Sequence, residues 1–123
     1  SIEEAVNRLQ EANPRLSPSQ AYHLTIHGTN QKEDGTYVWK FDNYVRTTSP
    51  YQFDSEDATQ LWKFITCPTL LISGAESWSG DPEKDGRISH FQNAKALRVQ
   101  NAGHWVHHDQ LKTIVDESQK FLV

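Results

Sequence analysis

Along residues 1–28 the apolar positions keep helical spacing. Ile2, Ala5, Val6 and Leu9 share one face behind Ser1-x-x-Glu4, the capping box that opens a first helix. Ser17-Pro18-Ser19-Gln20 opens a second, with proline at the first helical position where its missing N–H is harmless, and Gly28 ends it. The period then changes. Asp34-Gly35 marks a turn, and alternation over residues 36–42 puts Tyr37, Trp39 and Phe41 on one face of an extended segment, the arm of a short hairpin. Residues 43–53 read as irregular, with Ser49-Pro50 breaking any helix. Asp54 or Ser55 then caps a third helix carrying Ala58, Leu61, Trp62 and Ile65.

From Ile65 onward the rhythm tightens. Ile65-Thr66-Cys67-Pro68-Thr69-Leu70-Leu71-Ile72-Ser73-Gly74 predicts a buried strand entered through Pro68 and left through Gly74. An acidic loop follows, and residues 97–100 make a second strand around the apolar run Leu97 to Val99. Leu111, Ile114, Val115, Phe121 and Leu122 then occupy one face of a final helix, which should pack on the sheet. Strand, loop, helix, strand, helix is the layering of the α/β class, in which a parallel sheet receives helices on its faces. The boundary falls between residues 64 and 65. There are no internal repeats and no low-complexity segments.

Composition narrows the function classes. A chain of 123 residues has room for one modest core. Its net charge of −4, with scattered Lys and Arg, argues against a nucleic-acid binder. The single cysteine, Cys67, forbids an internal disulfide, suits a reducing compartment, and reads as an inert core residue at the start of a strand. No apolar stretch is long enough for a membrane span and no signal-peptide pattern opens the chain, so a cytoplasmic protein with no membrane partner is the default expectation.

Chemistry gathers at Ala102-Gly103-His104-Trp105, between the second strand and the last helix. The glycine allows a sharp turn, so the His104 side chain stands at a strand's carboxyl end, where open α/β sheets collect their sites. The bland reading is a turn holding a hydrogen-bonded histidine. With Cys67-Pro68-Thr69-Leu70-Leu71-Ile72, Gly74, Ala102-Gly103-His104-Trp105-Val106-His107 and Phe121-Leu122 in this order, however, the second half resembles the C-terminal part of the α/β-hydrolases. Asp34 to Asp42, Ser49-Pro50 and Trp62 resemble the cap of the serine-hydrolase-like and epoxide-hydrolase-like branches. The resemblance implies a partial α/β-hydrolase fold, with residues 1–64 as a helical cap or lid and residues 65–123 as the last two strands and last helix of the core. It implies His104 as general base.

The acid that orients this base is sought after Gly74, where Glu76, Asp81 and Asp85 are available. Glu76 is favoured because it lies two residues past the strand end. Asp81 stays open as the alternative, although Gly80-Asp81-Pro82 is also a turn for local reasons, and Asp85 comes last. The nucleophile is missing: there is no G-x-S-x-G, and Ser77 and Ser79 read as loop serines. The family runs nucleophile, acid, histidine, so the resemblance implies an upstream N-terminal half that supplies nucleophile and oxyanion hole for a small ester, epoxide or related substrate. This piece alone should be inactive, needs no cofactor, and should self-associate through its truncated sheet.

Competing readings follow from the other residues. His104, His107, His108 and Asp109 are dense enough for a metal site, but their spacing points them apart, and Asp109 reads as the N-cap of the last helix. His23 and His27, four residues apart on the second helix, could share a ligand, but they read more simply as two half-exposed polar positions of a cap helix. Trp39, Tyr44, Trp62, Trp78 and Trp105 could line a pocket, and Trp62 reads better as core packing. The main alternative function is a non-catalytic binding or assembly module with vestigial hydrolase residues.

Overall fold

The computed structural model describes residues 1–123, which form two compact units, residues 1–51 and residues 52–123.

In the first unit, helices α1 (Ile2–Ala12) and α2 (Pro18–Gly28) pack on each other, and both open with the capping box the sequence predicts. The Ser1 and Ser17 hydroxyls each accept a backbone N–H three residues on. Leu16 and Ala21 are buried, and so is Thr25, whose hydroxyl donates to the Ala21 carbonyl at 2.7 Å, so a polar group sits in the core without a desolvated donor. Strands β1 (Thr29–Gln31) and β2 (Tyr37–Trp39) form the hairpin, antiparallel, with Gly35 at φ 80° in its turn. Trp39 stacks near Phe41 with ring centres 6.0 Å apart, and the Arg46 guanidinium lies 4.9 Å above the Phe41 ring.

The second unit begins with α3 (Ser55–Trp62), in whose first turn the N–H groups of Glu56 and Asp57 are taken by the Asp54 carboxylate. Trp62 on α3 stacks on Phe91 at 5.4 Å, so α3 packs within this unit. The contacts therefore divide the chain after Tyr51, ahead of α3, whereas the hydrophobic rhythm divides it after residue 64. Strands β3 (Thr69–Gly74) and β4 (Ala94–Val99) pair in parallel, with Thr69 opposite Ala94 and Gly74 opposite Val99. Helices α4 (Val106–Asp109) and α5 (Leu111–Leu122) close the chain. No helix is long and apolar enough to cross a membrane.

Four local expectations are corrected here. Cys67 is exposed, because β3 starts only at Thr69 and the residues before it lie outside the sheet. The helix expected between the strands is a single 3₁₀ turn, Arg87–His90; positive φ at Gly80 and Gly86 and side-chain bonds from Asp81 and Asp85 commit that segment to turns. Asp109 ends α4 instead of capping α5. The strands, expected buried, are only partly so along most of their length, because the sheet has two strands and each keeps one unpaired edge. On α5 the apolar face is open to a similar degree, with Leu111, Val115 and Leu122 all exposed.

Candidate active site

A parallel pair ends both of its strands on the same side, and here the two ends are stitched together. The Ala75 N–H donates to the Val99 carbonyl at 2.8 Å, and the Glu76 N–H to the Ala102 carbonyl at 2.9 Å. Approach at this point is so close that a Cβ on Gly74 would stand 2.0 Å from the Gly103 carbonyl oxygen and 2.4 Å from that of Ala102. Only glycine fits. The residue with left-handed backbone in the turn is Asn101, at φ 53°, a conformation asparagine tolerates, so the sharp reversal begins two residues before Gly103. The Gly103 N–H donates to the Asp109 carboxylate at 2.7 Å. Asp109 thus fastens the turn that presents His104, a use that spacing alone did not reveal.

His104 is exposed at this edge. Its ring stacks on Trp78 at 4.2 Å and meets Trp105 edge-on at 5.5 Å. Its Nδ1 lies 3.1 Å from the Ser77 hydroxyl. Ser77 in turn is 3.0 Å from the Ser79 hydroxyl and accepts the Ser79 N–H at 3.1 Å. Ser77, read from the sequence as a loop serine, is therefore the side chain that meets the ring nitrogen. The only signal for it was its place three residues past Gly74.

The acidic candidates are distributed over the same loop. Asp81 is buried, and its carboxylate lies 2.9 Å from the Arg98 guanidinium, which also donates to the Ala75 carbonyl. Asp85 is gripped by Arg87, which donates to both carboxylate oxygens and to the Ser79 carbonyl. The hydrogen bond from Arg87 holds the Asp85 carboxyl below the usual carboxylate range. Glu76 is exposed, one residue before Ser77. The two arginines pin the loop at both ends and so fix where Ser77 stands.

An expected result follows for Asp81. Breaking a buried pair on one side costs about 3–5 kcal/mol, and because Arg98 keeps a third of its side chain in water, Asp81→Asn is expected to cost about 2 kcal/mol. Chemical denaturation checks this, and an unchanged midpoint would show that the pair does not hold the loop.

The remaining histidines lie nearby without converging. The His107 and His108 rings are 4.2 Å apart, and burial together with the neighbouring His107 pushes His108 below its ordinary value, partly opposed by Asp109. His23 and His27 are 4.5 Å apart on α2. No three His, Cys, Asp or Glu side chains are grouped so as to hold a metal ion.

No protein-family model and no curated protein matches the sequence. Solved structures do. An esterase of Mycobacterium tuberculosis superposes with a TM-score of 0.84 at 18% identity, over 99% of this chain and 41% of the esterase. E-2-(acetamidomethylene)succinate hydrolase gives 0.78 at 13% identity, over 98% of this chain and 45% of that one. The thioesterase domain from the curacin biosynthetic pathway gives 0.73 at 24% identity, over 98% and 42%. The chain spans less than half the length of each of these three proteins, and it has the fold of the C-terminal part of an α/β-hydrolase.

Proposed function

Starting from that fold, we propose that the chain supplies the general base of a hydrolase acting on a small ester, epoxide or related substrate, with His104 as the base. The single observation that carries this reading is the position of His104: it follows the joined ends of two parallel strands, one ring nitrogen engaged by a loop hydroxyl, the other, Nε2, without a protein partner. A ring so held can take a proton at Nε2 from a nucleophile and return it to a leaving group. The 123 residues contain no G-x-S-x-G, so the nucleophile and the oxyanion donors come from another part of the hydrolase, and residues 1–64 serve as its lid.

Of the two carboxylates proposed for the acid, Asp81 is buried against Arg98, and Glu76 is exposed one residue before Ser77, whose hydroxyl meets the His104 ring. We assign the acid's charge to Glu76 and a structural role to Asp81. The test is ester hydrolysis with a p-nitrophenyl ester, by the chain alone and by a longer polypeptide that places a nucleophile elbow upstream of it. No turnover is expected from the first and turnover from the second, with Glu76→Gln lowering kcat well below Asp81→Asn. Turnover by the chain alone, or the reverse ranking of the two variants, would overturn these assignments.

One set of observations favours a partner for this piece. β3 and β4 each keep an unpaired edge, and Leu111, Val115 and Leu122 on α5 are 62%, 44% and 80% exposed. In a hydrolase the upstream half would cover this surface; in its absence we propose that a second copy does, by strand pairing or by exchange of the lid. Light scattering across a concentration series is expected to show a dimer, and a clean monomer at high concentration would refute it.

A further inference from the structure

The acid of a hydrolase triad has two duties: it fixes which ring nitrogen of the histidine carries the proton, and it stabilises the ring once protonated. At the His104 ring the first duty falls to a hydroxyl. We propose that Ser77, braced by Ser79, sets the tautomer of His104 and is a positioning residue of this site. The inference rests on reading His104 as a base, and it adds a residue that neither the fold nor the sequence motif assigns.

The hydrogen-bond capacity of the three groups carries the argument. A serine hydroxyl has one O–H to donate and two lone pairs to accept with. One lone pair of Ser77 is taken by the Ser79 N–H. The remaining O–H and lone pair are shared between His104 Nδ1 at 3.1 Å and the Ser79 hydroxyl at 3.0 Å. Two arrangements are compatible with these contacts. In one, Ser77 donates to Ser79 and accepts from Nδ1–H, which leaves Nε2 bare. In the other, Ser79 donates to Ser77 and Ser77 donates to Nδ1, which leaves the proton on Nε2, where it blocks the base. Once the ring is protonated Nδ1 can only donate, so only the first arrangement survives the reaction. Working catalysis therefore requires Ser77 to accept from Nδ1–H and Ser79 to accept the Ser77 O–H.

Both aspartates of the loop point the same way. Asp81 is held by Arg98 and Asp85 by Arg87, so neither carboxylate is available to take over at Nδ1 without breaking an ion pair. Those same pairs hold the loop backbone through the Ala75 and Ser79 carbonyls. Ser77 is thereby placed by two fixed points and needs no charge to hold the ring.

The experiment is nitrogen-15 NMR of the His104 ring in this 123-residue chain at alkaline pH, where neutral imidazoles report their tautomer directly. The wild type is expected to hold mainly the Nδ1–H form. Ser77→Ala is expected to reverse the majority to Nε2–H, the form favoured by free imidazole, Ser77→Thr to restore the wild-type pattern, and Glu76→Gln to leave it unchanged. A wild-type ring mainly in the Nε2–H form overturns the proposal even if Ser77→Ala fails to fold. So does a tautomer indifferent to Ser77→Ala, one lost in Ser77→Thr as in Ser77→Ala, or one reversed by Glu76→Gln. The measurement uses no substrate and no nucleophile. A longer polypeptide without esterase activity would thus refute the hydrolase reading and leave the tautomer result standing, and a wrong tautomer would remove Ser77 while leaving hydrolysis to be measured.

Discussion

Replacing His104 with alanine, in the polypeptide that also carries the nucleophile, is expected to lower kcat by ~10³ or more with little change in stability, the scale of losing a triad base. The stability half of this expectation comes from exposure: the ring lies at the surface against Trp78, itself 80% exposed, so its removal opens no cavity. The kinetic half comes from position. His107 and His108 sit beyond the turn on α4, and neither shares the joined strand ends that support His104. Alanine at either of them is expected to cost far less. Steady-state kinetics on the three variants checks the ranking, and a His107 or His108 variant as damaged as the His104 variant would show that the base has been misplaced.

Elements whose cause is local were legible from the residues alone. Both capping boxes, the hairpin turn at Asp34-Gly35 and the α3 cap at Asp54 each depend on neighbours within a few positions, and each stands where the pattern puts it. What escaped was decided by pairs far apart in sequence. The engagement of Asp81 by Arg98 and the approach of Ser77 to His104 join residues 17 and 27 positions apart, and no periodicity encodes them. Asp109 was misread for a related reason. A carboxylate ahead of an apolar helix looks like a cap, but this one accepts the backbone N–H of Gly103, and α5 starts after Gln110 with no side-chain cap. Cys67 failed on a boundary: the apolar run from Ile65 suggested a strand several residues longer than the one that pairs.

Gly74→Ala is expected to destabilise the second unit by about 3 kcal/mol or more, the joint scale of an unrelieved overpacking clash and of weakened backbone hydrogen bonds. The atoms that a new Cβ would meet are main-chain oxygens of Ala102 and Gly103, so no side-chain rotation can make room. Relief requires β3 and the Gly103 turn to separate, and that motion strains the bonds from Ala75 to Val99 and from Glu76 to Ala102. The same separation draws Ser77 away from His104, because Ser77 is tethered to Gly74 by its own N–H at 3.1 Å. Thermal unfolding followed by circular dichroism should therefore shift down by about 10–20 °C, the range for such a loss in a unit of this size. The control is Gly28→Ala. There a Cβ meets only the Trp39 ring, at an ordinary 3.5 Å, and the change is expected to stay within about 1 kcal/mol of wild type. Equal midpoints for the two variants would mean that the strand ends are looser than this geometry allows, and with them the placement of His104.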